Sequence, residues 1–139
     1  RGKPLETAFE LLRQADGLLI GSPVYFGTVS AQLKAFWDKS RFLRNEKALL
    51  NVPGGAVAVG ASRFGGQETT IRAIHDLMLV QGMLVLGDGY WEYDCGHQGA
   101  AAQRPAQTDD NGLQRTVILA KRLVEVARAT RSIRTKTAR

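Results

Sequence analysis

Apolar residues along the chain follow two alternating rhythms, one helical and one of short unbroken runs. Leu5, Ala8, Phe9, Leu11, Leu12 and Ala15 recur at helical spacing and predict an amphipathic helix over Leu5 to Ala15. Asp16-Gly17 ends it, the glycine suited to a left-handed C-terminal turn. Leu18-Leu19-Ile20-Gly21 is a continuous apolar run, which suits a parallel strand covered on both faces. Ser22 to Gly27 reads as a loop, and Thr28 or Ser30 can cap a helix from about Ala31 to Ser40 that buries Leu33, Phe36 and Trp37. Asn51-Val52-Pro53-Gly54-Gly55 reads as a break before a second buried strand, Ala56 to Gly60. A polar, glycine-rich loop from Ala61 to Gly66 leads into a helix over Gln67 to Gln81, spaced by Ile71, Ile74, Leu77 and Met78. Met83 to Gly87 is a third strand. Asp88 to Asn111 shows no periodicity, a length that marks a functional or mobile segment in a compact domain. Gly112 to Ala127 closes the chain as a helix with Val117, Leu119, Ala120, Leu123, Val124 and Ala127 on its apolar face.

Strands alternating with helices predict an α/β domain with a parallel sheet and right-handed crossovers. The three strands are expected to be parallel, the one ending at Gly60 between the other two. At 139 residues, 44% hydrophobic and 23% charged, the chain has the composition of one globular domain. No run of apolar residues is long enough for a membrane span.

The net charge of +6 raises the question of a nucleic-acid partner, and its location answers it. Arg128, Arg131, Arg134, Lys136 and Arg139 stand in a stretch without acids, and the rest of the chain is nearly balanced. The basic excess therefore belongs to a tail over residues 128–139, expected to be frayed. A tail that touches RNA or anionic lipid is the other reading, but without interleaved aromatics nucleic acid is not expected as a partner. A lone cysteine, Cys95, forms no internal disulfide and fits a reducing cytoplasm. Cys95 and His97 are too few for a metal site, and no metal is expected.

Two blocks carry a family likeness. Ala15 to Gly27 with Ser30-Ala31-Gln32-Leu33-Lys34, and Gly60-Ala61-Ser62-Arg63-Phe64-Gly65-Gly66-Gln67-Glu68-Thr69, resemble the flavin-reductase branch of the flavodoxin superfamily. That branch includes tryptophan-repressor-binding-type quinone reductases and archaeal iron–sulfur flavoproteins. Gln81-Gly82-Met83 is a third match, and the similarity covers about residues 5 to 127. The resemblance implies a flavodoxin-like, doubly wound parallel sheet that binds FMN beyond the carboxyl ends of its strands. It assigns Ser22, Pro23, Val24, Tyr25, Phe26 and Gly27 to the cofactor site, with Gly60, Ala61, Ser62, Arg63, Gly65 and Gly66 on the second loop. Glycine lets backbone approach a flat ring, and Tyr25 and Phe26 offer apolar faces. Free N–H groups where the helix begins near Gln67 favour negative charge.

Other readings of the same residues stand beside these. Tyr25 and Phe26 also suit core aromatics, and Gly65-Gly66 suits a plain turn. Arg63 suits a flavin contact, a substrate phosphate or solvent, and mid-helix His75 reads as packing or surface.

The implied activity is hydride transfer from NAD(P)H through FMN to a quinone, flavin or similar small-molecule acceptor, with no side chain nominated as catalytic. The alternatives are a non-enzymatic electron carrier or redox subunit, and an interaction module that no longer binds FMN. A homo-oligomer, dimer or tetramer, is implied, with Tyr90, Trp91 and Tyr93 packing against a neighbour or over the ring pocket. Nothing in Arg1 to Ala15 matches the family's phosphate-binding loop or its iron–sulfur cysteine motif, so residues 1–127 are expected to form the C-terminal portion of the domain, lacking its first two strands. The chain is then the remainder of a longer protein, or a short paralogue completed by a partner.

Overall fold

In the computed structural model, which describes residues 2–134, one strand organises the sheet. β1 (Leu18–Pro23) lies parallel along one edge of β2 (Pro53–Gly60), in register from Leu18 against Gly54 to Pro23 against Val59. β3 (Leu84–Leu86) and β4 (Ala100–Gln103) share the opposite edge, also parallel. β3 covers Pro53 to Gly55 and β4 covers Val57 to Gly60, so they form one edge strand interrupted by residues 87–99. The expected order, with the strand ending at Gly60 flanked by its two parallel neighbours, is what the structure shows. The sheet has four strands, however, not three.

The fourth strand was hidden in the stretch without periodicity. Its sequence, Ala-Ala-Ala-Gln, carries neither β-branched nor aromatic residues. Packing accounts for one of its alanines: α5 (Asp110–Ala129) lies so close that a Cβ on Gly112 would meet the Cβ of Ala102 at 2.6 Å. Gly54-Gly55, read as a break, are strand residues for the same kind of reason. A Cβ on Gly54 would collide with Met78 and Met83, and one on Gly55 would meet Leu119 at 2.9 Å. Pro53 opens the strand, where no ladder donor is required of it.

Side chains of β2 alternate between two cores. Ala56 and Ala58 join Ile20, Trp37, Ile71, Ile74 and Met78 under α2 (Ala31–Lys39) and α4 (Gln67–Val80), while Val57 packs with Leu86, Leu119 and Leu123 under α5. α1 (Lys3–Gln14) enters through Phe9, stacked on Phe36 at 5.2 Å and edge-on to Phe42 at 5.0 Å. Phe42 belongs to a short helix, α3 (Arg41–Asn45), that extends the second predicted helix. Gly17 is not a left-handed helix terminator. α1 ends in an extended Ala15, and Gly17 leaves room for Leu123, 3.3 Å from where its Cβ would stand. β1 pairs only with β2 among the described residues, so its outer edge is open, as the three-strand reading anticipated.

Two expectations about the C-terminal helix need correction. Its buried face carries Arg115, Ile118, Leu119 and Leu123, whereas Val117 and Val124 are exposed. The helix is rolled because Arg115 is drawn inward by acids of the 87–99 excursion. The basic tail also starts later than charge suggested. Arg128 lies within α5, residues Arg131–Ile133 form a 3-10 turn, and Arg134 is buried, donating to the carbonyls of Asp16 and Ala127. Residues 135–139 of that tail lie outside the described residues. No helix among the described residues is long and apolar enough to cross a membrane.

Candidate functional site

The carboxyl ends of β1 and β2 carry the two loops singled out in the sequence, and the structure brings them into contact. Ser22 and Pro23, expected in the loop, are the last residues of β1. The Ser22 hydroxyl is buried; it donates to the Pro23 carbonyl (2.8 Å) and accepts from the Ser30 N–H (3.0 Å). It holds the turn and positions Ser30, whose own hydroxyl caps α2 by accepting from the Leu33 N–H at 3.2 Å.

Tyr25 to Thr28 form a tight turn in which the two end residues exchange backbone hydrogen bonds of 3.0 and 3.2 Å. Both central residues have positive φ, Phe26 at 49° and Gly27 at 74°. A non-glycine residue seldom adopts this conformation, and Phe26 does so with its side chain wholly in solvent. Tyr25 is 57% exposed, so neither aromatic belongs to the core.

The second loop starts at Gly60, the last residue of β2, and ends at Gly66, where φ is 93°. Gly66 packs directly on the first loop. A Cβ there would meet the Gly27 Cα at 3.0 Å and Val24 Cγ1 at 3.1 Å. Thr69 Oγ1 lies 2.7 Å from the Gly27 carbonyl and 2.9 Å from that of Gly66, so its single proton ties the loops together. Ala61, Ser62, Arg63 and Phe64 are exposed, Phe64 at 95%. Gly66 gives α4 no side-chain cap, so N–H groups of its first turn have no capping side chain.

Gln67 holds the second loop from inside, a role the sequence reading did not assign. Its buried amide donates to the carbonyls of Ser62 (2.6 Å) and Ala102 (3.3 Å) and accepts from the Gly65 N–H (2.8 Å). Gly60 must lack a Cβ for this amide to fit. The signal available was position: a long amide directly after Gly-Gly at a helix start can reach back over its own loop. Replacing Gln67 with leucine should leave three polar backbone groups without their partner, at a cost of about 1–3 kcal/mol in stability, measured by urea unfolding.

His75 is half-buried in α4, and burial lowers its pKa from the ordinary value, consistent with packing. Cys95 and His97 serve separate ends. Cys95 is a free, exposed thiol, whereas His97 turns toward α5. The Arg115 guanidinium donates to the carboxylate of buried Asp88, to Asp94 Oδ1 (2.6 Å) and to His97 Nδ1 (2.8 Å). His97 Nδ1 also lies 3.2 Å from Asp88 Oδ1, so the ring nitrogen stands between the guanidinium and the buried carboxylate. This network pins the excursion to α5, and Lys121 sits over the Tyr93 ring at 5.4 Å. Trp91 is 91% exposed.

What the two loops offer is exposed aromatic surface from Tyr25, Phe26 and Phe64, uncapped N–H groups and close backbone. That donor set fits a flat heteroaromatic ring with a polar edge.

Comparison with known proteins gives the family. The family model described as NADPH-dependent FMN reductase matches residues 2–98. An iron–sulfur flavoprotein of Methanocaldococcus jannaschii is 49% identical over 84% of this chain and 61% of its own length. An NAD(P)H dehydrogenase (quinone) of Chromohalobacter salexigens is 40% identical over 58% of this chain and 40% of its own length. Among solved structures, a WrbA-like flavodoxin from Agrobacterium tumefaciens superposes with a TM-score of 0.77 at 25% identity, covering 89% of this chain and 73% of that one. The chain spans 61% of the first of these relatives. Its sheet is flavodoxin-like, and the chain belongs to the NADPH-dependent FMN reductase family.

Proposed function

We propose that the 22–27 and 60–66 loops form the ring-binding edge of an FMN site in an NAD(P)H-dependent flavin or quinone reductase. The observation that carries this reading is the Gly27–Gly66–Thr69 junction, which fixes two exposed, aromatic-bearing loops against each other at the carboxyl edge of the sheet. When bound, FMN supplies the redox chemistry, taking hydride from the nicotinamide donor and passing electrons to the acceptor. The chain's own residues bind and orient. Tyr25 and Phe26 cover apolar ring surface, Gly65 and Gly66 keep backbone close, and the first turn of α4 directs N–H dipoles at the ring's polar edge. Arg63 contributes positive charge on the same loop. No side-chain acid or base is assigned to the chemistry. The protein acts as a homo-oligomer in the cytoplasm in this reading, with Trp91 at a subunit contact, which light scattering would test.

FMN titration followed by flavin fluorescence, and NADPH oxidation with a quinone acceptor, test the reading. Tyr25→Ala should weaken FMN by about 1–3 kcal/mol through lost apolar cover. Failure of the parent protein to quench FMN fluorescence would point instead to an interaction module.

A second reading is favoured by one observation. The relative named an iron–sulfur flavoprotein matches a larger part of the chain than the quinone dehydrogenase does. On that reading the protein is a redox subunit that exchanges electrons with a protein partner. It would bind FMN but show no NADPH turnover with quinone alone.

A further inference from the structure

The 60–66 loop has a second flank. One side packs on Gly27; the other borders a cleft lined by Arg63, Phe64, His97, Arg104 and Asp109, between the carboxyl end of β4 and the start of α5. Arg104 is fixed beside the loop through its backbone, whose N–H donates to the Gly60 carbonyl at 2.8 Å. Both arginines are exposed, and neither side chain makes a hydrogen bond or ion pair among the described residues.

The acid of the cleft is already engaged. Asp109 caps α5, accepting from the Gly112 N–H at 3.0 Å and the Gln103 N–H at 2.7 Å. Those backbone bonds, Gly112 first, hold its carboxyl below the usual carboxylate range, with Arg63 adding to the effect. The lining therefore includes two guanidiniums without hydrogen-bond partners, one fixed carboxylate and one exposed aromatic ring.

We infer that this cleft takes the pyrophosphate and adjoining ribose of the nicotinamide dinucleotide donor, the phosphates against Arg63 and Arg104 and a base beside Phe64. The inference rests on the flavin reading above and names the donor's subsite. Two phosphates match two guanidiniums, which bind phosphate through paired donors. Ribose hydroxyls suit the remaining lone pairs of Asp109, which would repel a bare anion; this favours a dinucleotide over a simple inorganic ion. A dinucleotide held here lies on the far side of the same loop that borders the ring site, so its nicotinamide end can reach over that loop.

The test uses FMN-loaded protein and ADP-ribose, which carries the pyrophosphate without nicotinamide. Arg63→Ala and Arg104→Ala should each weaken ADP-ribose about tenfold in calorimetry, and the double variant about a hundredfold. Arg104→Lys should retain part of the affinity, and Arg41→Ala, on an exposed position of α3, all of it. The NADPH KM should rise in parallel. N-benzyl-dihydronicotinamide, which has no phosphate, should reduce the Arg104→Ala variant at the parent rate. A folded double variant that binds ADP-ribose as tightly as the parent overturns the assignment. FMN fluorescence is read separately. A parent that takes ADP-ribose in an arginine-dependent way but no FMN would support the cleft and sink the flavin reading, and the reverse result would do the opposite.

Discussion

Gly66→Val is expected to lower FMN affinity by about 100-fold or more, the largest loss from any single change in the two loops. Two costs combine. Valine is β-branched and is placed at a φ of 93°, which L side chains rarely adopt. Its Cβ would also stand 3.0 Å from the Gly27 Cα and 3.1 Å from Val24 Cγ1, so the loops must part. The sequence alone suggested a glycine needed for approach of the ring; the structure puts the crowding between the loops themselves. Gly66→Ala, with the same strain and less bulk, should fall between valine and the parent. Fluorescence titration measures the affinity, and a thermal melt of the apoprotein separates a parted site from an unfolded chain. Parent-like binding by a folded Gly66→Val protein would remove this loop from the cofactor.

The largest loss of stability is expected at Asp88, far from the loops. Its side chain is fully buried and pairs with Arg115, itself only 9% exposed. Asp88→Ala strands a buried guanidinium, a change that costs about 3–5 kcal/mol. Asp94 does not replace the lost partner, because it is exposed and reaches only one nitrogen of the fork by side chain. Chemical denaturation with urea should show the drop in midpoint. The double replacement Asp88→Leu with Arg115→Met should recover much of it, since an apolar pair leaves no orphaned charge. If Asp88→Ala alone unfolds at the parent midpoint, the network does not hold the excursion.

These two residues also show what a sequence does and does not disclose. The apolar runs of β1 and β2 and the helical spacing after Gly66 were legible, but only β2 is covered on both faces as expected; in β1, Leu19 and Gly21 are exposed and the strand runs on to Pro23. The candidate site was read as two blocks, and the glycines in them have a backbone reason. Other features left no local trace. Ala102 of β4 stands where α5 crowds it, and Gly54-Gly55 imitate a turn because Met78 and Leu119 claim their side-chain space. Arg115 looks like a surface residue until Asp88, 27 positions earlier, folds against it. Arg134 likewise counts as tail charge until the Asp16 carbonyl meets it across 118 positions. Gln67 was missed for a related reason: one of the carbonyls it holds, that of Ala102, lies 35 positions away.

The interrupted edge strand bears on which part of the sheet can open alone. The Pro53–Gly55 half of β2 pairs with β3, which follows directly on α4. The Val57–Gly60 half pairs with β4, which is joined to β3 by the 87–99 excursion, itself tied by the Asp88 N–H to the His97 carbonyl. This second half frames the candidate site, through Arg104 to Gly60 and Gln67 to Ala102. Local opening of β4 with its excursion should therefore require less free energy than global unfolding, and amide exchange at Arg104 should outpace exchange at the middle of α4. The rim that carries the candidate site would then breathe while the sheet beneath it stays shut.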